Sequence, residues 1–431
     1  MRITARPSSQ WTKACSLADA SLDARDPRTW EHVTVALFLV ALVAGFAQFG
    51  AVASLDDVAR HFGHHAATQS LQSVVGLSGS VLGIGLAVLR LASLGALPLA
   101  SLADRWGRTT VLRRTLLVGL VITACASLSP TYWFFVLCFA LARPLLSTTS
   151  TIVSVVTVEL SSTARRIDRL VIVSAGAGIG AGLAAIIHGL IRGADSFRWL
   201  FALAIVPVFL IRPTLRRVPE PTSHRSEATI ARLGAVPKGM RARVAIVGVV
   251  VFIIGVISGP ASGFTFVYGE GVLKISPAVV ALVVALSAVT GLGGLLLSRY
   301  SARVFGRRWT VVLGTAATAL TACLAYGGGK ASFVLGYMSG VAAGGLLAPA
   351  IAALSTELFA HRFRATAAGW VVVAGVLGAM TGLLVFGWIG DSVHVTGAGS
   401  LRLPALLTFL PLLPLLALLA RLPESSKMAL D

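Results

Sequence analysis

Charge is scarce in this chain: Asp, Glu, Lys and Arg make up only 12% of its 431 residues, about half of the roughly 25% usual in soluble domains. Acids are the scarcer sign, 17 against 36 Lys and Arg. Cysteine is limited to Cys15, Cys125, Cys138 and Cys323, without CxxC spacing, which argues against a disulfide framework or a thiolate metal site. HExxH, GxxxxGK[ST] and GxSxG are all missing, so the sequence carries no metalloprotease, P-loop or serine-hydrolase signature. The expectation is a protein that is not an enzyme and has neither metal nor cofactor. A chain so poor in polar residues cannot clothe a water-facing surface of its size, and most of its helix surface must face lipid or other apolar helices.

What the chain has instead is long apolar runs. Hydrophobic residues make up 56% of it and the mean hydropathy is +0.86. A membrane-crossing helix needs about 20 mainly apolar residues. Twelve such runs are expected, at 32–54, 72–99, 111–129, 132–157, 170–191, 197–212, 243–267, 277–298, 309–327, 331–355, 366–389 and 402–421. Residues 1–31 read as a cytoplasmic N-terminal tail, 32–212 as a first six-helix bundle and 213–242 as a cytoplasmic linker. Residues 243–421 read as a second six-helix bundle and 422–431 as a cytoplasmic C-terminal tail. The net charge of +19 does not mark a nucleic-acid partner, because the basic residues sit in short clusters between apolar runs. Of the 36 Lys and Arg, 28 fall on one side of a twelve-span chain and 6 on the other. The positive-inside rule puts that richer side, with both termini, in the cytoplasm.

The two halves repeat. ADRWGR at the end of the second run returns as ARVFGR at the end of the eighth, pairing Gly107 and Arg108 with Gly306 and Arg307. VELSSTARR after the fourth run matches TELFAHRFR after the tenth, pairing Glu159 with Glu357 and Arg166 with Arg364. VPE at Val218 to Glu220 matches LPE at Leu422 to Glu424. Parallel six-helix repeats about an axis along the membrane normal are an established transporter plan. The expected fold is therefore all-α, with twelve transmembrane helices in two six-helix bundles related by a pseudo-two-fold along that normal.

At these motifs the chain resembles the major facilitator superfamily, from about Val33 to Glu424. The family's loop after the second helix reads GxxxDRxGRR. Here it is ASLADRWGRT, with Ala100 in the glycine place and Thr109 in the last basic place, and in the second copy Arg303 stands where an acid is usual. The resemblance implies a gate that breaks and reforms, carried here by Asp104, Arg105, Gly107, Arg108, Glu159, Arg166, Gly306, Arg307, Glu357 and Arg364. The chemistry fits: carboxylates favour helix N-termini, arginine gives strong charge-assisted bonds, and glycine permits a positive φ. Positive-inside topology alone accounts equally well for the arginines, whereas it gives no reason for Asp104.

Two charges lie deep in the runs. Arg90 precedes Asp104 by 14 residues and Arg143 precedes Glu159 by 16, or about 21 and 24 Å of helix. Both fall near the middle of a hydrocarbon core of about 30 Å. A central arginine normally faces a cavity or a partner, so substrate contact and bonding to backbone carbonyls both stay open. In the resembled family many proton-linked members carry an arginine on the fourth helix, where Arg143 falls. No acid occupies a mid-helix position, and the first run reads GFAQFG where several proton-coupled relatives have an acid. His188 and Glu270 are the remaining coupling candidates, with a packed, structural histidine the plainer reading of His188. GAGIGAG at 176–182 follows no strand and reads as small-residue helix packing.

Together these features point to a secondary transporter working by alternating access in the plasma membrane, a monomer with a small-molecule substrate and the lipid bilayer as partners. Proton coupling is left open. Uptake of a polar or anionic metabolite is favoured over drug export. The VPEPT and LPESS endings resemble those of sugar and metabolite porters, and no proline lies between Ile167 and Phe197, where drug exporters of the family carry a GP motif. A non-transporting receptor or scaffold is the alternative of another class.

Overall fold

The computed structural model describes residues 27–64, 71–161, 165–191, 195–216, 218–220, 238–357, 364–393 and 397–421, which are largely helical with no strand among them. Among the described residues, eleven helices are long and apolar enough to cross a membrane, and Ser196–Ile211 is a shorter apolar helix beside them. The first six are α1 Pro27–Ala53, α2 Gly79–Ala92 continuing through a 3₁₀ turn Ser93–Gly95 into Ala96–Trp106, α3 Arg108–Cys125, α4 Tyr132–Glu159, α5 Arg166–Leu190, and α6 Ser196–Ala202 continued by Val206–Arg216. The second six are α7 Lys238–Gly263, α8 Pro277–Val304, α9 Arg307–Tyr326, α10 Lys330–Glu357, α11 Arg364–Asp391, and α12 Arg402–Phe409 followed by a 3₁₀ stretch Leu413–Arg421.

Several ends depart from the apolar runs for local reasons. The second run is expected from residue 72, but Leu71–Val75 is a separate short helix, cut off by Gly76 at φ +99°. The last span loses its α-geometry after Phe409, where Pro411 and Pro414 cannot donate backbone hydrogen bonds. α7 stops at Gly263, and the chain continues as a π-helix over Val267–Val272 that runs into Lys274 at φ +53°. Helix starts follow capping chemistry. The Thr131 hydroxyl accepts the Phe134 N–H at 3.2 Å at the start of α4, and Pro277 opens α8 at a position whose N–H would lack a partner anyway.

The repeat is visible in the backbone. Gly107 between α2 and α3 has φ +92° and Gly306 between α8 and α9 has φ +84°, the same left-handed corner in each bundle. Helix pairing repeats as well. Gly45, Gly176 and Gly180 bring α1 and α5 so close that an added Cβ would strike backbone. Gly255, Gly378 and Gly382 do the same for α7 and α11. Of the GAGIGAG run, Gly176 and Gly180 face α1, whereas Gly178 and Gly182 meet nothing. The run is thus a helix-packing stripe.

The bundles meet at the face away from the Gly107 and Gly306 corners. There Gly79 and Gly83 of α2 lie against the backbone of Gly387 and Leu383 on α11, and Gly189 of α5 lies against Ala278 of α8. Exposed tryptophans mark both faces: Trp106 and Trp309 beside the corners, Trp133, Trp199 and Trp388 at the opposite ends. This is the aromatic-belt arrangement of a membrane protein.

Candidate functional site

Arg90 and Arg143 both lie at mid-span in the first bundle, and Arg90 reaches the seam between the bundles. Arg90 on α2 donates through Nη2 to the Ser262 hydroxyl on α7 at 3.4 Å, a contact that crosses from one bundle to the other. Arg143 on α4 donates through Nη1 to the Gln48 carbonyl on α1 at 3.4 Å. Its Nε is buried and has no hydrogen-bond partner among the described residues. The two guanidinium groups are electrostatic neighbours. The local sequence explains their placement: Pro144 follows Arg143 within α4 and lies against Gly95, in the 3₁₀ turn of α2. Gln48 secures α1 to α4 through Ser150 at 3.1 Å and the Leu146 carbonyl at 3.4 Å.

Ser262 also lines a cavity of about 200 Å³ within the second bundle, walled by Thr265, Thr318, Tyr326, Phe333 and Tyr337. An anion held by the arginines would have an apolar, hydroxyl-edged recess beside it.

A second group of charges closes the seam at the face away from the glycine corners. His188, near the end of α5, has Nε2 3.0 Å from Glu270 Oε2 and Nδ1 3.4 Å from Asp57 Oδ2. Glu270 sits in the π-helix after α7, the kind of backbone irregularity frequent at functional sites. Asp56 and Asp57 belong to the short helix Leu55–Phe62 that follows α1. Asp56 Oδ2 meets Arg60 Nε at 2.8 Å, while Asp57 accepts the Ser196 hydroxyl. Burial drives the Asp56 carboxyl from 3.8 up to about 7, with Arg60 pulling it back and Glu270 and Asp57 pushing it further. Burial likewise raises Glu270, against the pull of His188. His188 and Glu270 were thus legible as candidates in the sequence. Asp56 and Asp57 were not, because in sequence they lie just past the end of the first apolar run; the apolar positions Leu55, Val58 and Ala59 of LDDVARHF, all buried, were the available signal.

At the other face the expected gate is only partly visible. The side chains of Asp104, Arg166, Glu357 and Arg364 lie outside the described residues. Arg105 is exposed. Arg108 at the start of α3 forms an ion pair with Glu159 at the end of α4, two predicted residues brought together, both within the first bundle. Glu220, read only as part of the VPE repeat, caps α3: its carboxylate accepts the Arg108 N–H and, at 3.0 Å, the Thr109 N–H. Gly107 makes room, since a Cβ there would lie 3.2 Å from that carboxylate. Arg307 and Gly306 occupy the equivalent corner of the second bundle.

A Major Facilitator Superfamily model matches residues 37–303 and 262–429. Among solved structures, the chain is similar to a bacterial homolog of the human lysosomal transporter Spinster in an inward-facing and occupied conformation. The identity is 15%, the TM-score 0.74, and the alignment covers 94% of this chain and all of that one. It is also similar to the nucleoside transporter NupG, at 14% identity and TM-score 0.69 over 92% of this chain and 100% of that one. A third is the inward-open xylose transporter XylE from E. coli, at 18% identity and TM-score 0.68 over 92% and 97%. None of the curated proteins matches the sequence.

Proposed function

The chain belongs to the major facilitator superfamily of secondary transporters, and we propose that it carries a small anionic metabolite, held by Arg143 with help from Arg90, by alternating access across the plasma membrane. The observation that carries this reading is the buried, unpartnered Nε of Arg143 beside a second arginine, in helices with no mid-span carboxylate. Two cations left so in a low-dielectric seam are costly. A carboxylate or phosphate group would neutralise them and accept the paired N–H donors of the guanidinium fork. The recess at Ser262, Phe333 and Tyr337 suits a compact body of mixed character.

The basic face is assigned to the cytoplasm, with both termini and the 213–242 linker, on the distribution of Lys and Arg. The closed seam then faces outward, and the arrangement is inward-facing. Uptake is the favoured direction. The test is a thermal-shift screen of the purified protein against carboxylates, phosphates, sugars, nucleosides and cationic drugs, since a ligand that binds only the folded state raises its melting temperature. Stabilisation confined to anions and lost in Arg143→Ala supports the reading. Stabilisation by cations or neutral apolar compounds alone overturns it.

A further inference from the structure

The charges that close the outer seam hold more acid than their partners can satisfy. His188, Asp56 and Glu270 are 1%, 2% and 4% exposed, and one oxygen of each of these two carboxylates, Asp56 Oδ1 and Glu270 Oε1, is buried with no hydrogen-bond donor among the described residues. His188 is hydrogen-bonded to Glu270 through Nε2 at 3.0 Å, while its Nδ1, buried and without a hydrogen-bond partner among the described residues, has an Asp57 oxygen 3.4 Å away. A neutral imidazole carries one N–H. It can satisfy one of those carboxylates while turning a lone pair toward the other. The closed arrangement becomes attractive at both nitrogens only when a further proton is present, on the ring or on a carboxyl.

The seam is also where the two bundles separate. Asp56, Asp57 and His188 belong to the first bundle and Glu270 to the second. Arg60 faces Asp56 from the same short helix, and Lys274, past the π-helix, adds a second cation nearby. From the start of α6, Ser196 reaches Asp57, while Asp195 and Arg198 engage His61 to one side. Leu71–Val75, packed against the π-helix, brings no titratable group. Phe266 stands edge-on to both His188 and Phe49, with ring centroids 6.0 and 5.9 Å away, an apolar floor beneath the cluster.

We propose that the Asp56–Asp57–His188–Glu270 cluster is a proton-binding site of the outer seal: closing the bundles over it captures protons from outside, and opening them outward releases those protons. The proposal rests on the reading of the chain as an alternating-access transporter and not on the identity of its substrate. In the open state water reaches each group, Glu270 leaves His188, and the carboxyls return to their ordinary acidity. In the closed state burial favours their neutral forms. Asp56, held up to about 7 when sealed, puts part of this exchange in the neutral range. The sign follows: acid outside favours the sealed, inward-facing state, and alkali favours outward opening.

The test needs no substrate. Spin labels on cysteines at Leu128 and Leu403, exposed positions on the outer face of different bundles, would report the seam by pulsed electron resonance. The four native cysteines are replaced by alanine, and the pH runs from 5.5 to 8.5. The expected result is a single short distance at acid pH and a growing long component through neutrality. The open-to-sealed ratio changes by up to about tenfold per pH unit for each proton released. Asp56→Asn and Glu270→Gln each flatten the profile, and the double variant removes it. A wild-type profile that is flat, a double variant that keeps the wild-type profile, or a sodium titration at fixed pH that reproduces the shift overturns the proposal. The wild-type measurement stands even if a variant misfolds. Arg143→Ala keeps the pH response, so failure of the anion reading in the ligand screen and failure of the proton site are separate results.

Discussion

Asp391, the last residue of α11, grips the start of α2 across the seam: one carboxylate oxygen accepts the Gly79 N–H, and the other accepts the Ser80 N–H at 2.9 Å and its hydroxyl at 2.5 Å. A carboxylate from the second bundle thereby caps a helix of the first, where unpaired N–H groups and the positive end of the dipole favour an anion. Loss of a cap costs about 0.5–2 kcal/mol. Asp391→Ala should therefore weaken the outer seal by that amount, a shift of about 2- to 30-fold toward outward-open states. Cysteine labelling from the outer face checks this, and unchanged labelling of seam positions would refute the clasp.

Arg143 carries the substrate prediction. Hydrogen bonds to charged groups contribute about 1.5–3 kcal/mol. Arg143→Ala should weaken binding of the anion found by thermal shift by about 10- to 150-fold. Arg143→Lys, which keeps charge without the fork, should fall between. Calorimetric titration gives both numbers.

Glu220 should matter for the stability of the first bundle. It accepts two consecutive N–H groups at the start of α3 together with the Thr109 hydroxyl. Glu220→Ala should cost about 1 kcal/mol and lower the melting temperature. Gly107→Ala should also destabilise, because φ is +92° there and an L side chain is strained in that region. A melting temperature unchanged in both variants would show that the corner carries no load.

The Asp56 carboxyl sets a pH dependence of its own. Its sealed-state value, about 7, lies above the ordinary 3.8. Its contribution is therefore fullest below the ordinary value and is lost as the pH rises through about 7. The melting temperature of the wild type should fall as the pH rises from about 4 to about 7 and level off above that, and Asp56→Asn should show less of that fall. An equal fall in the variant would assign the dependence to other groups.

The sidedness proposal is checked with reporters fused at Gly234 and after Asp431. Both should read as cytoplasmic, and an external reading at either would reverse the assignment of the basic face.

Much of this was legible along the chain because its causes are local. An apolar run of about 20 residues has to satisfy its own backbone in lipid, which makes it a helix wherever it goes. The repeated GR corners announced Gly107 and Gly306, because a left-handed φ selects glycine within a single residue. Arg90 and Arg143 stood out by depth, which is a matter of counting residues from a helix end. Even the GAGIGAG stripe could be read as packing, although not which of its glycines would touch α1.

The contacts between distant segments were decided by tertiary structure. Asp56 and Asp57 in sequence are a polar helix end like any other. They join one charge cluster, Asp56 buried and Asp57 half-buried, only because α5 delivers His188 and the π-helix after α7 delivers Glu270 to the same place. Glu220 and Asp391 look like loop acids until a helix start from elsewhere in the chain is laid against each. Composition and periodicity determine that the chain spans the membrane and repeats itself, since hydrophobic burial is nearly non-directional and additive along a helix. Which ion meets which depends on bond lengths and angles set by six or more helices packed together, and that geometry is written in no single segment.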